Sequence, residues 1–461
     1  MTVTRWLAEY AWLPGRDEPT PDVLIEADEG RFTAVTPLLG GGPVAGVEVH
    51  PDAVRLPGVT LPGLANAHSH AFHRALRGRT HCGRGDFWTW REQMYAVAER
   101  LDPESYLSLA RATYAEMALA GITAVGEFHY LHHGPGGTRY DDPNAMGAAL
   151  VEAATQAGIR LTLLDTCYLS ATVDGAPLTG PQLRFGDGDA QRWAERVSAF
   201  TPSPPPGSQA AGAGPRVRVG AAVHSVRAVP ADQLATVAEW AARHTAPLHV
   251  HLSEQPAEND ACRAVHGRTP ARLLADHGVL GPHTTAVHAT HPTSADLNLL
   301  AGTDSGVCLC PTTERDLADG IGPAHRMADL GIPLSLGSDS HAVVDPFEEA
   351  RAVELDERLR TRRRGHFTPA ALLEAAGVTG HTALGWGDAG RIAVGARADL
   401  VTVRRDGARV AGVPPVGVFF AATAADVTQV VVDGRQVVAD GRHLLVDVPA
   451  ELRTAIEQAT R

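Results

Sequence analysis

Apolar and polar positions follow two different rhythms along the chain. Near the start, short apolar segments broken by Gly and Pro read as strands: Val23-Leu24-Ile25-Glu26, Phe32-Thr33-Ala34-Val35 and Gly46-Val47-Glu48-Val49. The same texture returns at the end in Ala398-Asp399-Leu400-Val401-Thr402-Val403 and Val427-Thr428-Gln429-Val430-Val431-Val432, with Asp433-Gly434 as a hairpin turn. Between them, short apolar runs alternate with helical patterns. The runs are Ile159 to Leu164, Val217 to Ala222, Pro247 to Leu252, Ala286 to Ala289, Gly306 to Leu309 and Leu334 to Gly337; the helical patterns include Ser105 to Ala120 and Ala231 to Arg243. Repeated strand–helix units predict an α/β fold: a (β/α)8 TIM-type barrel over residues 58–390. Residues 1–57 and 391–461 are expected to join as one small β-sandwich. Thr201 to Pro215, rich in Pro, Gly and Ala, is expected as a surface loop within the barrel.

Composition narrows the function. The 461 residues are 44% hydrophobic and 20% charged, as in a globular protein. A formal net charge of -13 opposes nonspecific nucleic-acid binding, which needs cations against phosphate. No apolar run approaches the ~20 residues of a membrane span, and the N-terminus lacks a signal-peptide pattern, so a cytoplasmic protein without a membrane partner is expected. The odd set Cys82, Cys167, Cys262, Cys308 and Cys310 fits free thiols, with Cys308 and Cys310 as small core residues. Arg358 to Arg364 reads as a solvated helix face or turn. The sequence contains no lysine. Schiff-base chemistry, a lysine general base, a P-loop and a carbamylated lysine bridging two metals are therefore excluded.

The candidate chemistry gathers at strand ends, where barrels of this kind carry their active sites. His68-Ser69-His70 follows an apolar run, and on a strand positions i and i+2 share a face. His251 ends one strand, with Glu254 three residues on; His288 ends the next; Asp339 ends the last. His68, His70, His251 and Asp339 form a ligand set suited to one divalent metal ion with room for water. Such an ion lowers the pKa of a water towards neutrality. Glu254 is placed to shuttle a proton to a leaving amine, His288 to hold the water or stabilise charge, and Asp339 to ligate the metal and take part in proton transfer.

This ordered set resembles the amidohydrolase superfamily, as does Gly395-Ala396-Arg397-Ala398-Asp399-Leu400-Val401, which is similar to its closing motif. Two-metal members often use a carbamylated lysine, so the resemblance implies the mononuclear deaminase branch. Within that branch the chain resembles the formimidoylglutamate deiminase family. The segments that carry this are Ala67 to Phe72, Trp88 to Glu92, Glu127 to His133, Val223 to Ala228, His251 to Gln255, Pro311 to Glu314 and Gly337 to His341. The resemblance implies deimination of N-formimino-L-glutamate in histidine degradation, a Zn2+ cofactor and a homodimer. It places His73, Arg91, Tyr130, His224 and Arg227 against the substrate. A small dianionic amidine suits two arginines, each able to fork onto one carboxylate. His73 stands where that family usually has glutamine, and the segment Arg315 to Gly320 also departs from its pattern. His129, His132, His133 and His341 are expected to support the site and not to ligate the metal. Two rival readings are a related deaminase of an aminated heterocycle such as guanine, and a non-catalytic barrel that only binds.

Overall fold

The computed structural model describes residues 3–38, 51–80, 87–202 and 214–461; the expected strand at Gly46 to Val49, Cys82 and most of the Thr201 to Pro215 loop lie outside them. Four strands open the chain: β1 (Thr4–Ala11), β2 (Thr20–Asp28), β3 (Arg31–Pro37) and β4 (Val54–Pro62). The barrel strands follow: β5 (Leu64–Ser69), β6 (Ile122–His129), β7 (Arg160–Cys167), β8 (Val217–Val223), β9 (Leu248–Leu252), β10 (Thr284–His288), β11 (Gly306–Leu309) and β12 (Leu334–Leu336). The last four are β13 (Leu400–Val403), β14 (Val427–Val432), β15 (Arg435–Ala439) and β16 (Arg442–His443).

Strands β5 to β12 lie side by side in chain order and run parallel throughout. The ring closes between its last and first strands through a bridge pairing Ser69 with Asp339. There the Asp339 N–H donates to the His68 carbonyl at 3.0 Å and the His70 N–H to the Asp339 carbonyl at 3.2 Å. Helices wrap the outside. Pro103–Leu119 starts two residues before the sequence pattern suggests, because Asp102 caps the Ser105 N–H and Pro103 supplies a preset first turn.

The remaining strands form one sheet in the order β16-β15-β14-β13-β4-β1-β2-β3, joining both ends of the chain. It encloses a core of Trp6, Ile25, Phe32, Leu56, Leu400 and Val431, which makes the expected sandwich. The Asp433-Gly434 turn between β14 and β15 has φ of 47° and 73°, as a two-residue hairpin requires. The junction expected at residue 57 falls inside β4. Pro57-Gly58 looks like a turn, but the strand absorbs it as a bulge: Ala8 pairs with Leu56 and Tyr10 with Val59, and the Gly58 N–H is taken by Glu9 at 2.7 Å. The final helix, Val448–Thr460, leaves the sheet and packs on Pro103–Leu119, where Arg111 meets Glu451 at 2.8 Å.

Sandwich and barrel are tied by a buried ionic group. Arg160, at the start of β7, donates to Asp399 and to Asp433 (3.0 Å). Asp433 also meets Arg216 at 2.9 Å and Arg397 at 3.1 Å. Among the described residues no helix is long and apolar enough to cross a membrane.

Candidate active site

The expected metal ligands converge. Ligand atoms of His68, His70, His251 and Asp339 all lie within 4.8 Å of one another, and all four residues are buried. Asp339 Oδ1 is 3.3 Å from both His68 Nε2 and His70 Nε2, and His251 Nε2 is 3.1 Å from His68 Nε2. The backbone turns sharply to aim these groups. Ser253, His288, Ala289, Asp339 and His341, all at the mouths of β9, β10 and β12, have positive φ, and backbone held in this region is strained and clusters at functional sites.

The donor chemistry fits a cation. His70 gives its Nδ1–H to the Phe128 carbonyl (3.0 Å) and His251 its Nδ1–H to the His224 carbonyl (2.8 Å), so both turn an Nε2 lone pair inward. Burial pushes His68 down to about 3 and His70 and His251 below the usual imidazole range. Burial works against ionised Asp339, but His68, His288 and His70 outweigh it and hold the carboxyl well below its usual range. Three imidazoles held below their usual range and a carboxylate thus converge within reach of one point, a donor set that suits a divalent cation.

Acid–base groups flank this cluster. His288 Nε2 lies 3.8 Å from Glu254 Oε1 and 3.8 Å from Asp339 Oδ2, with Nδ1 directed at Glu314 (3.4 Å). Burial would lower His288, but Glu254, Glu314 and Asp339 hold it well above its ordinary value. Burial raises Glu254, partly offset by His288 and Arg227. Burial and Glu254 also push Asp319 up to about 9.

A cavity of about 320 Å³ opens from these groups. Every residue expected to contact the substrate lines it: His73, Arg91, Tyr130, His224 and Arg227. His73 Nε2 and the Tyr130 hydroxyl are 2.9 Å apart. Arg91, from the helix Phe87–Arg100, lies over the Tyr95 ring at 5.5 Å. Arg91 and Arg227 both line this cavity, and both act electrostatically on Tyr95 and on His224. Arg227 is already engaged on one side: its Nη2 is 3.5 Å from Glu254 and its Nε 3.1 Å from Glu258.

Sequence patterns gave no sign of Tyr168 or Glu258. Tyr168 packs on the His224 ring at 4.4 Å and accepts at its hydroxyl from Gln182 at 3.0 Å. Glu258 sits in the first turn of the helix Pro256–His266, where an acid ordinarily serves the helix dipole. Glu127 lies beneath the ligands: it accepts from Ser69 Oγ (2.6 Å) and the Ala71 N–H (2.7 Å), and burial raises it to about 7. Its place in the motif Glu127-Phe128-His129 was the one available signal.

His129, His132, His133 and His341 do not line the cavity. His341 bridges Ser69 Oγ (3.1 Å) and Ser338 Oγ (3.0 Å). His129, His132 and Asp165 lie close together, but both Asp165 oxygens are taken by Arg196 and one also by Trp193. Cys308 and Cys310 pack with Ala67 and Val287 in a small buried cluster.

A model of the Amidohydrolase family matches residues 59–437. The chain is 39% identical over 372 residues to the formimidoylglutamate deiminase of Pseudomonas aeruginosa, covering 77% of this chain and 80% of that one. It is 30% identical over 416 residues to the 8-oxoguanine deaminase of the same species, covering 89% and 88%. The crystal structure of an amidohydrolase from Brucella melitensis superposes with a TM-score of 0.87 at 32% identity, over 99% of this chain and 100% of that one.

Proposed function

The chain belongs to the amidohydrolase family, and from that premise we propose that it hydrolyses N-formimino-L-glutamate to N-formyl-L-glutamate and ammonia, with one zinc ion, in histidine degradation. Its relatives make it a metal-dependent hydrolase of C–N bonds other than peptide bonds. The observation that carries the finer reading is the pair Arg91 and Arg227 in a pocket that ends on the His68, His70, His251 and Asp339 cluster.

Those four residues would hold the ion, which when bound supplies Lewis acidity and a water acidified towards neutrality. The protein does the rest. Arg91 and Arg227 take the two substrate carboxylates and point the formimino end at the cluster. Glu254 accepts the proton of the attacking water and passes it to the terminal nitrogen. His288, held cationic by its three carboxylate neighbours, stabilises the negative charge carried by the attacking oxygen. Water oxygen joins the formimino carbon as the C=N bond becomes single; the remaining hydroxyl proton then passes by way of Glu254 to the same nitrogen as the carbonyl forms, the C–N bond breaks, and ammonia leaves.

The aromatic wall of Trp90, Tyr95, Tyr130, Tyr168 and Phe185 favours a second reading, deamination of an aminated heterocycle, as does the 8-oxoguanine deaminase relative. The test is to measure ammonia and N-formyl-L-glutamate from zinc-loaded protein. Formamide and glutamate, or no product, would refute the first reading. Arg91→Ala separates the two better than Arg227→Ala, because Arg227 also compensates Glu254. Arg91→Ala should cripple turnover of a dianionic substrate and spare that of a neutral ring.

A further inference from the structure

We propose that Glu258 is a positioning residue, which sets the substrate-facing arginine and the turn bearing the catalytic acid from a single buried carboxylate. It rests on the reading above only for the identity of the anion that Arg227 receives.

Glu258 lies 2% exposed beside the pocket. Its two oxygens do different things. Oε1 accepts the Ser253 N–H at 2.9 Å, and Oε2 faces Arg227 Nε at 3.1 Å. Ser253 has φ 50°, and its positive-φ turn delivers Glu254 immediately afterwards. Arg227 comes from the segment after β8, where its own N–H is held by Ser225 Oγ (3.3 Å) and its carbonyl by Ser170 Oγ (3.1 Å). The 3.1 Å contact is an ion pair and not a hydrogen bond, so Glu258 acts on the guanidinium by its charge, at the place where Arg227 lines the cavity.

The charge balance explains why a carboxylate is needed. Arg227 is buried, and burial works against its charge; Glu258 and then Glu254 restore it. Without Glu258 the compensation would fall chiefly to Glu254, whose own proton the reaction uses. Glu258 thus lets Arg227 remain a full cation while Glu254 stays available as acid and base.

Glu258→Gln tests this. The glutamine oxygen can still accept from Ser253, but its amide must present a donor to a guanidinium that is also a donor. We expect KM for N-formimino-L-glutamate to rise about tenfold to a hundredfold, the scale of a buried cation losing one of its carboxylate partners, with kcat changed much less. Glu258→Ala, which also frees Ser253, should lower kcat as well. In an Arg227→Gln background, Glu258→Gln should add less than about twofold to KM. Full multiplication of the two effects, or an unchanged KM in the single variant, would overturn the proposal. The substrate-independent check is a crystal structure of zinc-loaded Glu258→Gln. Arg227 should leave its present position, and an unmoved side chain would refute the idea. If wild-type protein ignores N-formimino-L-glutamate, the function reading fails, while this structure still decides the role of Glu258.

Discussion

Replacing Arg160 with Met would remove the centre of the ionic group between sandwich and barrel at nearly constant length. Arg160 is fully buried, and both of its terminal nitrogens serve Asp399, one of them Asp433 too. Asp433 would retain Arg216 and Arg397, so its charge remains matched. Asp399 would keep only the Asp433 N–H at 2.9 Å and a long contact from Thr123 at 3.5 Å. The cost is therefore one buried carboxylate stripped of its cation, about 3–5 kcal/mol. At ~2.1 cal/mol/K per residue the unfolding entropy of 461 residues is roughly 1 kcal/mol per degree. The unfolding midpoint should fall by about 3–5 °C in calorimetry. Adding Asp399→Asn should recover part of this, because the stranded charge disappears. Turnover at room temperature should be unaffected, since Arg160 enters at the N-terminal end of β7 and the active site lies at the C-terminal ends. A midpoint shift under about 1 °C, or a marked loss of kcat/KM at full metal loading, would refute the reasoning.

Glu254→Gln should lower kcat by roughly 10²–10⁴-fold, the usual scale of a general acid–base group, with metal content by elemental analysis unchanged. Gly337→Ala should weaken metal binding and stability together, because a Cβ there would sit 2.8 Å from His68 Cβ and 3.0 Å from Cys310 Sγ; normal metal stoichiometry and melting would contradict this. His249 and His381 are pushed down from 6.5 to about 4, chiefly by burial, and each is bonded to a backbone carbonyl at 3.0 Å. Their folded pKa lies below the unfolded one, so the unfolded chain alone takes up protons as pH falls from about 6.5 towards 4. Their stabilisation is present above that window and lost through it, up to roughly 3 kcal/mol each. Denaturant midpoints measured between pH 7.5 and 5 should fall accordingly, with a shallower slope in His381→Gln.

Much of the site is legible because its residues obey local rules. His68 and His70 show strand spacing, while Glu254, His288 and Asp339 sit at the ends of apolar runs, where a parallel barrel must expose them. Glu258 is invisible in the same way that Arg160 is: each looks like an ordinary surface charge until the fold brings up its partner. The engagement of Arg227 by two carboxylates is likewise a tertiary fact. Strand β6 escapes the apolar pattern because Gly126 and Glu127 interrupt it, and Glu127 is tolerated there only because Ser69 and the Ala71 N–H receive it. In β4, Pro57-Gly58 carries turn chemistry that the paired strands override.

The seam where the barrel closes is also where the metal would sit. Strand β12 has three residues, and beyond it the first and last strands meet at Ser69 and Asp339, between the very side chains that converge on the cation. A bound ion therefore acts as a reversible cross-link between distant ends of the ring. Amide hydrogens of His70 and Asp339 should exchange slowly when the ion is present and much faster after chelation, while the central strands β7 and β8 hardly change. Loss of metal is thus predicted to unzip the ring locally, long before the molecule as a whole unfolds.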